Sequence, residues 1–476
     1  MSYQAEETRS KFLRLMFHEY YRKHRDTIDQ PDKIHTREFG IESWDYTWRC
    51  PERTEIDDSG IKIKQGCGSQ GISFARIVKC PKCGSKGLQV NNWKRHVGFR
   101  TQKALIDELV MSAAHSVYHS AAFYKIPVAR TMDEKEWQGA ELVFDIDADH
   151  LSSPCSKEHD AWKCNTAGCT ESGMGAPPIE GCPKCGETNF SSRKWLCEKC
   201  LDDAKQSTLR VYDKFIVEDF GLDPELIQLN YSGHRGYHIR VKDPRVFKLD
   251  SRGRVEIVHY ITGTGFRIVP TKDDSLQNRH RVIIIARDMP LPTKELDQFN
   301  VPGWGNRVAD AMVEFIRSIE LYSGDERWAK PLRTHREEAL KGLLRTPPVL
   351  SANVKGVGEK SWQEIAVRAV EAFGGEIDAP VTHDIHRIIR LIGSLNGKTG
   401  FSVTSLTRDT ISEFNPLRDS IAITGETLKV VFPEKGLMVP KIRIGDEIYG
   451  PYHDETVELP MAAAVFMLCK GVAKIA

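Results

Sequence analysis

Several things this chain lacks narrow what it is. No run of apolar residues approaches the roughly 20 that a membrane-spanning helix needs; even Met461 to Cys469 is too short. An integral membrane protein is therefore not expected. The opening Met-Ser-Tyr-Gln-Ala-Glu-Glu carries acids and no apolar core, so no secretory leader is predicted, and a cytoplasmic location with reduced thiols is. Net charge is almost missing: 67 Lys and Arg against 66 Asp and Glu leave +1 over 476 residues. No global basic field argues for nucleic acid. Cysteine is absent beyond Cys200 except for Cys469. Gly393 to Gly400 is glycine-rich with one lysine but lacks the Gly-x-x-x-x-Gly-Lys-Ser/Thr spacing of a phosphate-binding P-loop. What remains is ordinary globular composition, 40% hydrophobic and 28% charged, long enough for one large core or two moderate ones.

Two short segments carry chemistry. In Glu141-Leu142-Val143-Phe144-Asp145-Ile146-Asp147-Ala148-Asp149, a strand's two-residue period puts Leu142, Phe144 and Ile146 on one side and Asp145, Asp147 and Asp149 on the other. An Asp-x-Asp pair alone is commonly a solvated turn. On an apolar strand, Asp145 and Asp147 are hard oxygen ligands that can share a Mg²⁺ or Mn²⁺, as phosphoryl or nucleotidyl transfer requires. The second segment, Ser232-Gly233-His234-Arg235-Gly236-Tyr237-His238, reads as a hairpin turn, since Gly supplies positive φ and Ser bonds its own backbone. A turn does not need Arg235 and His238. On the outgoing strand His238 and Arg240 share the polar face, which suits an anionic ligand. From Arg235 to Arg254 seven Lys or Arg stand against two Asp, which favours phosphate contact.

Eleven of the twelve cysteines fall between Cys50 and Cys200. In a reducing compartment zinc is the natural reading, and Cys80-Pro81-Lys82-Cys83-Gly84 and Cys182-Pro183-Lys184-Cys185-Gly186 are near copies of a zinc knuckle, with Cys197 and Cys200 a third pair. Cys50, Cys67, Cys80 and Cys83 make a candidate upstream site. Closed thiolate coordination is structural, because it leaves no position for substrate.

Periodicity predicts an opening helix with Phe12, Leu13, Leu15, Met16, Phe17, Tyr20 and Tyr21 all in the core. A helix should start at Thr101 with Leu105 and Leu109, and another should run from Ser207 to Asp219, closed by Gly221. Strands follow to about Met289. From Gly305 to Phe373 the pattern is helical, with stripes Val308, Met312, Phe315, Ile316 and Trp362, Ile365, Ala366, Ala369, Phe373. Ile385, Ile388, Ile389 and Ile392 follow i, i+3, i+4, i+7, predicting a helix that shows His386, Arg387 and Arg390 on its other face.

An acidic Asp-x-Asp strand, a downstream Ser-Gly-x-Arg-Gly-x-His hairpin and a later carboxylate resemble the small catalytic subunit of the archaeal and eukaryotic type DNA primase. Further blocks extend the resemblance over nearly the whole chain in family order: Arg37 to Gly40, Arg95 to Phe99, and Val381 to Arg390 through Gly397-Lys398-Thr399-Gly400. It is interrupted by a cysteine-bearing stretch between Trp48 and Trp93 and by a second inside the zinc region. The resemblance implies an α/β (α+β) primase core of central antiparallel or mixed sheets flanked by helices. The core would occupy 1–300 and 371–476, with an inserted zinc ribbon at 50–90, a zinc region at 155–200 and a helical subdomain at 301–370. It also implies synthesis of short RNA or DNA primers on single-stranded DNA at the replication fork, with a large primase subunit as partner. Asp145, Asp147 and Asp378 would hold Mg²⁺ or Mn²⁺. Ser232, Arg235, His238, Arg390, Arg95, Asn396 and Lys398 would hold the nucleoside triphosphate, with His234 and Asn396 standing where the family usually has Arg and His. The family knuckle is matched by Cys155, His159, Cys197 and Cys200, leaving Cys164, Cys169, Cys182 and Cys185 as a second ribbon. Pairing in sequence order, 155/159/164/169 with 182/185/197/200, stays open; either way residues 155–200 would bind two structural zinc ions, and residues 50–83 a third, so two to three are expected. The other readings are a related polymerase for end joining or gap filling, and a zinc-dependent DNA-binding module with a vestigial acidic site.

Overall fold

The computed structural model describes residues 3–56, 62–151, 153–264, 267–272, 280–285, 304–344, 354–433 and 437–476. The chain divides into two units: Met1–Gln206 with Ile227–Leu249 and Asp384–Ala476, and Ser207–Leu226 with Asp250–His383.

The first unit contains two principal antiparallel sheets. In one, the long strand Phe39–Arg49 pairs at its base with Ser116–Ser120 and at its far end with Gln70–Ser73, while Gln89–Val97 runs along its other side. The other sheet has the order Thr404–Leu406, Ile227–Tyr231, Gly236–Val241, Leu142–Asp147. In it Leu142, Phe144 and Ile146 are buried together with Tyr237, Ile239 and Val241, whereas Asp145 and Asp147 are only half-buried. Hydrophobic alternation thus sets which face the acids occupy.

Glu141 joins this unit from the inside. It is gripped by Arg37 and Arg240, whose Nη2 lies 2.7 Å from Glu141 Oε2, and the three side chains are almost wholly buried. Several other cations of the basic run after the hairpin have partners nearby. Besides Arg240, Lys242 pairs with Asp32 at 3.2 Å, Arg245 with Asp243 at 2.6 Å, and Lys248 donates to the Gln138 carbonyl. Arg240 is thereby withdrawn from the expected phosphate surface, whereas Arg245, Lys248 and Arg252 remain exposed.

The opening helix Tyr3–Lys23 buries Leu13, Phe17, Tyr20 and Tyr21, but Leu15 is 55% exposed: the apolar face is narrower than the sequence suggests. Tyr20 Oη donates to the Gly393 carbonyl and Tyr21 Oη accepts from Leu395 N, tying the helix to the glycine-rich segment. Helix Gln102–Ser112 starts where Thr101 caps it, Ala104 N donating to Thr101 Oγ1. The helix expected over Ile385–Ile392 is absent. Ile388–Arg390 is a short strand pairing with Ser116–Ser120. Four isoleucines in eight residues suit either period, and β-branched side chains with a free sheet edge to cover settle it as strand.

The helix expected from Ser207 begins upstream, in the first unit, at Glu198–Arg210, and continues through Val211–Asp219 with widened turns, Phe220 N bonding to Phe215 O. Gly221, at φ +59°, ends it. Helices Trp304–Arg317, Ala329–Thr334, Arg336–Leu343 and Glu359–Phe373 follow. Val308, Met312, Phe315 and Ile316 are buried, as are Trp362, Ile365, Ala366 and Ala369. Met289 lies outside the described residues.

Candidate active site and zinc centres

The site grows from register. Pairing of Leu142–Asp147 with Gly236–Val241 sets Asp145 opposite His238 and Asp147 opposite Gly236. Glycine is required at 236, because a Cβ there would lie 2.3 Å from the Ile146 carbonyl oxygen. His238 Nε2 lies 3.6 Å from Asp145 Oδ1, and its Nδ1 is 3.2 Å from Asn230 Nδ2. With the amide donating to Nδ1, the proton sits on Nε2 and faces the carboxylate. Burial and the nearby Arg390 and Arg240 push His238 down to about 3. The ring is thereby held neutral, with Nε2 as its hydrogen-bond donor.

Asp147 is pushed upward by burial and by the charges of Asp149 and Asp145. Carboxylates crowded on one face until one resists ionisation call for a cation, so Asp145 and Asp147 fit a divalent metal. Asp149 has left the strand: its amide caps Asp147 Oδ1 at 3.0 Å and its carboxylate meets Arg235 Nη1 at 2.6 Å. Arg235 is 1% exposed, and neither Nε nor Nη1 has an acceptor aligned for a hydrogen bond. Nη1 is ion-paired with Asp149, and Nε has no partner.

The hairpin tip is held from behind. Ser232 Oγ accepts from Gly236 N, Asn396 Nδ2 donates to the Ser232 carbonyl at 3.0 Å, and Thr399 Oγ1 donates to the Gly233 carbonyl. Gly233 has φ +76°, and a Cβ on it would press Asn396 Cβ at 2.8 Å. Asn396, 1% exposed, also accepts from Lys398 N. The position expected to face phosphate is a strut between two loops. Around the tip gather Arg390, stacked over Tyr118 at 4.4 Å with Nη1 unbonded, and the exposed Lys398. Arg95 Nε is engaged by Glu38 at 2.8 Å, a carboxylate it shares with buried Lys135.

One residue escaped sequence reasoning. Lys470 Nζ stands 3.5 Å from His234 Nε2, donates to the Lys194 carbonyl, and is pushed down to about 8 by burial together with Arg235 and Lys398. His234 is driven well below its ordinary value by burial and by Lys470, Lys398, Arg235 and Arg390. Four cations thus converge where the family's second hairpin arginine is missing. The only sequence signal is that Lys470 follows the apolar helix Met461–Cys469. Asp378 belongs to the second unit, half-buried before helix Ala379–His383.

The thiols form three groups: Cys50, Cys67, Cys80, Cys83; Cys155, His159, Cys197, Cys200; and Cys164, Cys169, Cys182, Cys185, each with ligand atoms within 4.8 Å of one another. Pairing in sequence order does not occur. Sγ separations of 3.6 and 3.7 Å in the two all-cysteine groups match the edge of a zinc–thiolate tetrahedron, about 3.8 Å for bonds of about 2.3 Å. His159 Nδ1 is 2.9 Å from Asp160 Oδ1, an arrangement that fixes the ring to present Nε2. Asp160 also accepts from Trp195 N and lies 3.8 Å from Arg235 Nη1, so this zinc centre is wired to the hairpin.

Comparison with known proteins decides the family. Residues 183–408 match the model described as DNA primase small subunit. The DNA primase small subunit PriS of Methanococcoides burtonii is 30% identical over 391 residues, 80% of this chain and 87% of that protein. This chain belongs to the DNA primase small subunit family. The PriS of Methanothrix thermoacetophila is 30% identical over 82% of this chain and 93% of its own, and that of Nitrosopumilus maritimus 26% identical over 99% and 100%. Mixed α/β architecture with cysteine clusters compatible with zinc is thus the setting of a primase small subunit, and among the described residues no helix is long and apolar enough to cross a membrane.

Proposed function

We propose that this primase small subunit is a nucleotidyltransferase that builds short RNA or DNA primers on single-stranded DNA from nucleoside triphosphates, working with a large subunit. The carrying observation is the register that sets Asp145 and Asp147 beside His238, next to the unbonded Nε of the buried Arg235. Asp145 and Asp147, with Asp378 as the third carboxylate the family pattern supplies, would hold Mg²⁺ or Mn²⁺, which when bound lowers the barrier to attack by a 3′ hydroxyl and neutralises the leaving pyrophosphate. Arg235 and Arg390 grip phosphate oxygens through charge-assisted bonds, and His238 adds a neutral one. Ser232 and Asn396 fix the tip that carries Arg235, while Lys398 and Lys470 bring charge from the other side. Arg95 stands near the nucleotide with its orientation held by Glu38.

Replacing Asp145 or Asp147 by Asn should reduce dinucleotide formation on an unprimed single-stranded template by several orders of magnitude, with template binding and zinc content unchanged. Substantial primer synthesis by the double variant would falsify the assignment. Extension of existing primers without initiation would favour the end-joining or gap-filling polymerase.

A further inference from the structure

The two all-cysteine ribbons offer an internal comparison. Cys67, Cys80 and Cys83 have the same spacing as Cys169, Cys182 and Cys185, and both knuckles read Cys-Pro-Lys-Cys-Gly. Zinc binding therefore asks the same of both 24-residue stretches, 67–90 and 169–192. Their charges nevertheless differ. The first carries Arg76, Lys79, Lys82 and Lys86 and no acid; the second carries Lys184 against Glu171, Glu180 and Glu187. Net +4 against −2 is an excess that folding a ribbon does not require, in a chain whose overall charge is +1.

All four cations of the first ribbon are exposed, and none forms an ion pair with a described carboxylate. Beside Cys50, the exposed Arg49 and Arg53 flank the exposed Glu52 and add one net positive charge. The ribbon is carried on the far end of strand Phe39–Arg49, where Cys50 N donates to the Ser69 carbonyl and Gly68 N to the Cys50 carbonyl. The strand's base pairs with Ser116–Ser120, which in turn pairs with the strand holding Arg390. At ~3.3 Å per residue, ten residue steps place the ribbon about 30 Å along from that end.

We propose that the ribbon closed by Cys50, Cys67, Cys80 and Cys83 is a docking surface for the phosphate backbone of single-stranded DNA, held through Arg76, Lys79 and Lys86. Lys82 has a counterpart in Lys184, so the three others account for what is distinctive. Such contacts are independent of base sequence and depend steeply on salt. The inference rests on the template-directed function above and concerns where template is held away from the acids.

The test is fluorescence anisotropy of a labelled oligothymidylate with the zinc-loaded full chain, titrated with salt. R76Q/K79Q/K86Q should reduce the slope of log affinity against log salt by about 2, at ~0.7 per lost phosphate contact. Lys184→Gln should leave it unchanged. Zinc content reports whether the triple variant keeps its ribbon; if it does not, Arg76→Gln, remote from the knuckle, should still lower the slope by ~0.7. An unchanged slope in zinc-replete variants overturns the proposal and leaves an acidic protein surface as the occupant. A change seen only with duplex DNA overturns the single-strand assignment. Primer synthesis at saturating template should persist in the variants, whereas its absence from the unaltered chain would count against the proposed function instead.

Discussion

At the scale of single residues, electrostatics decides which side chains are available to a ligand. Arg240 and Arg235 lie on one hairpin, yet Glu141 consumes the first, while the second, paired with Asp149 through Nη1, keeps its Nε unbonded. Lys470 belongs with the second kind. Lys470→Met should raise the Michaelis constant for nucleoside triphosphate by roughly tenfold, as loss of a hydrogen bond to a charged group implies, with little change in turnover. His234→Arg in that background should recover much of the loss by restoring a cation at the same place. Steady-state kinetics of the single and double variants check both, and an unaffected constant in Lys470→Met would remove it from the cradle. Glu141 makes a stability prediction. Although burial opposes its charge, Arg240 and Arg37 hold its carboxyl down to about 2 from an ordinary 4.5. A depressed acid stabilises the fold fully above its unfolded value, so this contribution should vanish as pH falls from about 4.5 through about 2. Glu141→Gln leaves two buried guanidinium groups uncompensated and should cost about 3–5 kcal/mol in denaturant unfolding at neutral pH.

Among the elements, legibility followed the range of the interactions. The acidic strand, the hairpin and the Thr101 helix are set by neighbours close in sequence, so period and turn residues reveal them. Ile388–Arg390 failed because its partner strand, Ser116–Ser120, lies far away in the chain and periodicity cannot see it. The same distance hid Lys470 from His234 and Arg37 from Glu141. Asn396 was placed in the right loop but given the wrong surroundings, since only the fold puts its amide on the Ser232 carbonyl. Of the knuckles, the Cys155/His159 centre should matter most for chemistry, through Asp160 beside Arg235. Cys155→Ser should release one zinc and weaken nucleotide binding. Cys169→Ser should release one zinc with nucleotide binding kept. Elemental analysis and nucleotide titration together distinguish the two, and equal effects would dismiss the link.

For the whole molecule, the three ligand groups predict three zinc ions per chain by elemental analysis; a value of two would remove one ribbon. A net charge near zero conceals basic and acidic ribbons of similar build, which is why global composition was silent about nucleic acid. The buried triad of Arg37, Glu141 and Arg240 bears on how so long a chain finds one structure. Strands 142–147 and 236–241 meet only after the intervening zinc region has been made, and two of their three apolar pairs would re-form if one strand slid by two positions. Such a slide towards one end would bring Arg240 opposite Asp145 and take it away from Glu141, leaving that acid with Arg37 alone. The triad therefore breaks a degeneracy that hydrophobicity leaves in place: it is a key for alignment, rejecting the mispaired sheet in which an arginine neutralises an acid needed for chemistry.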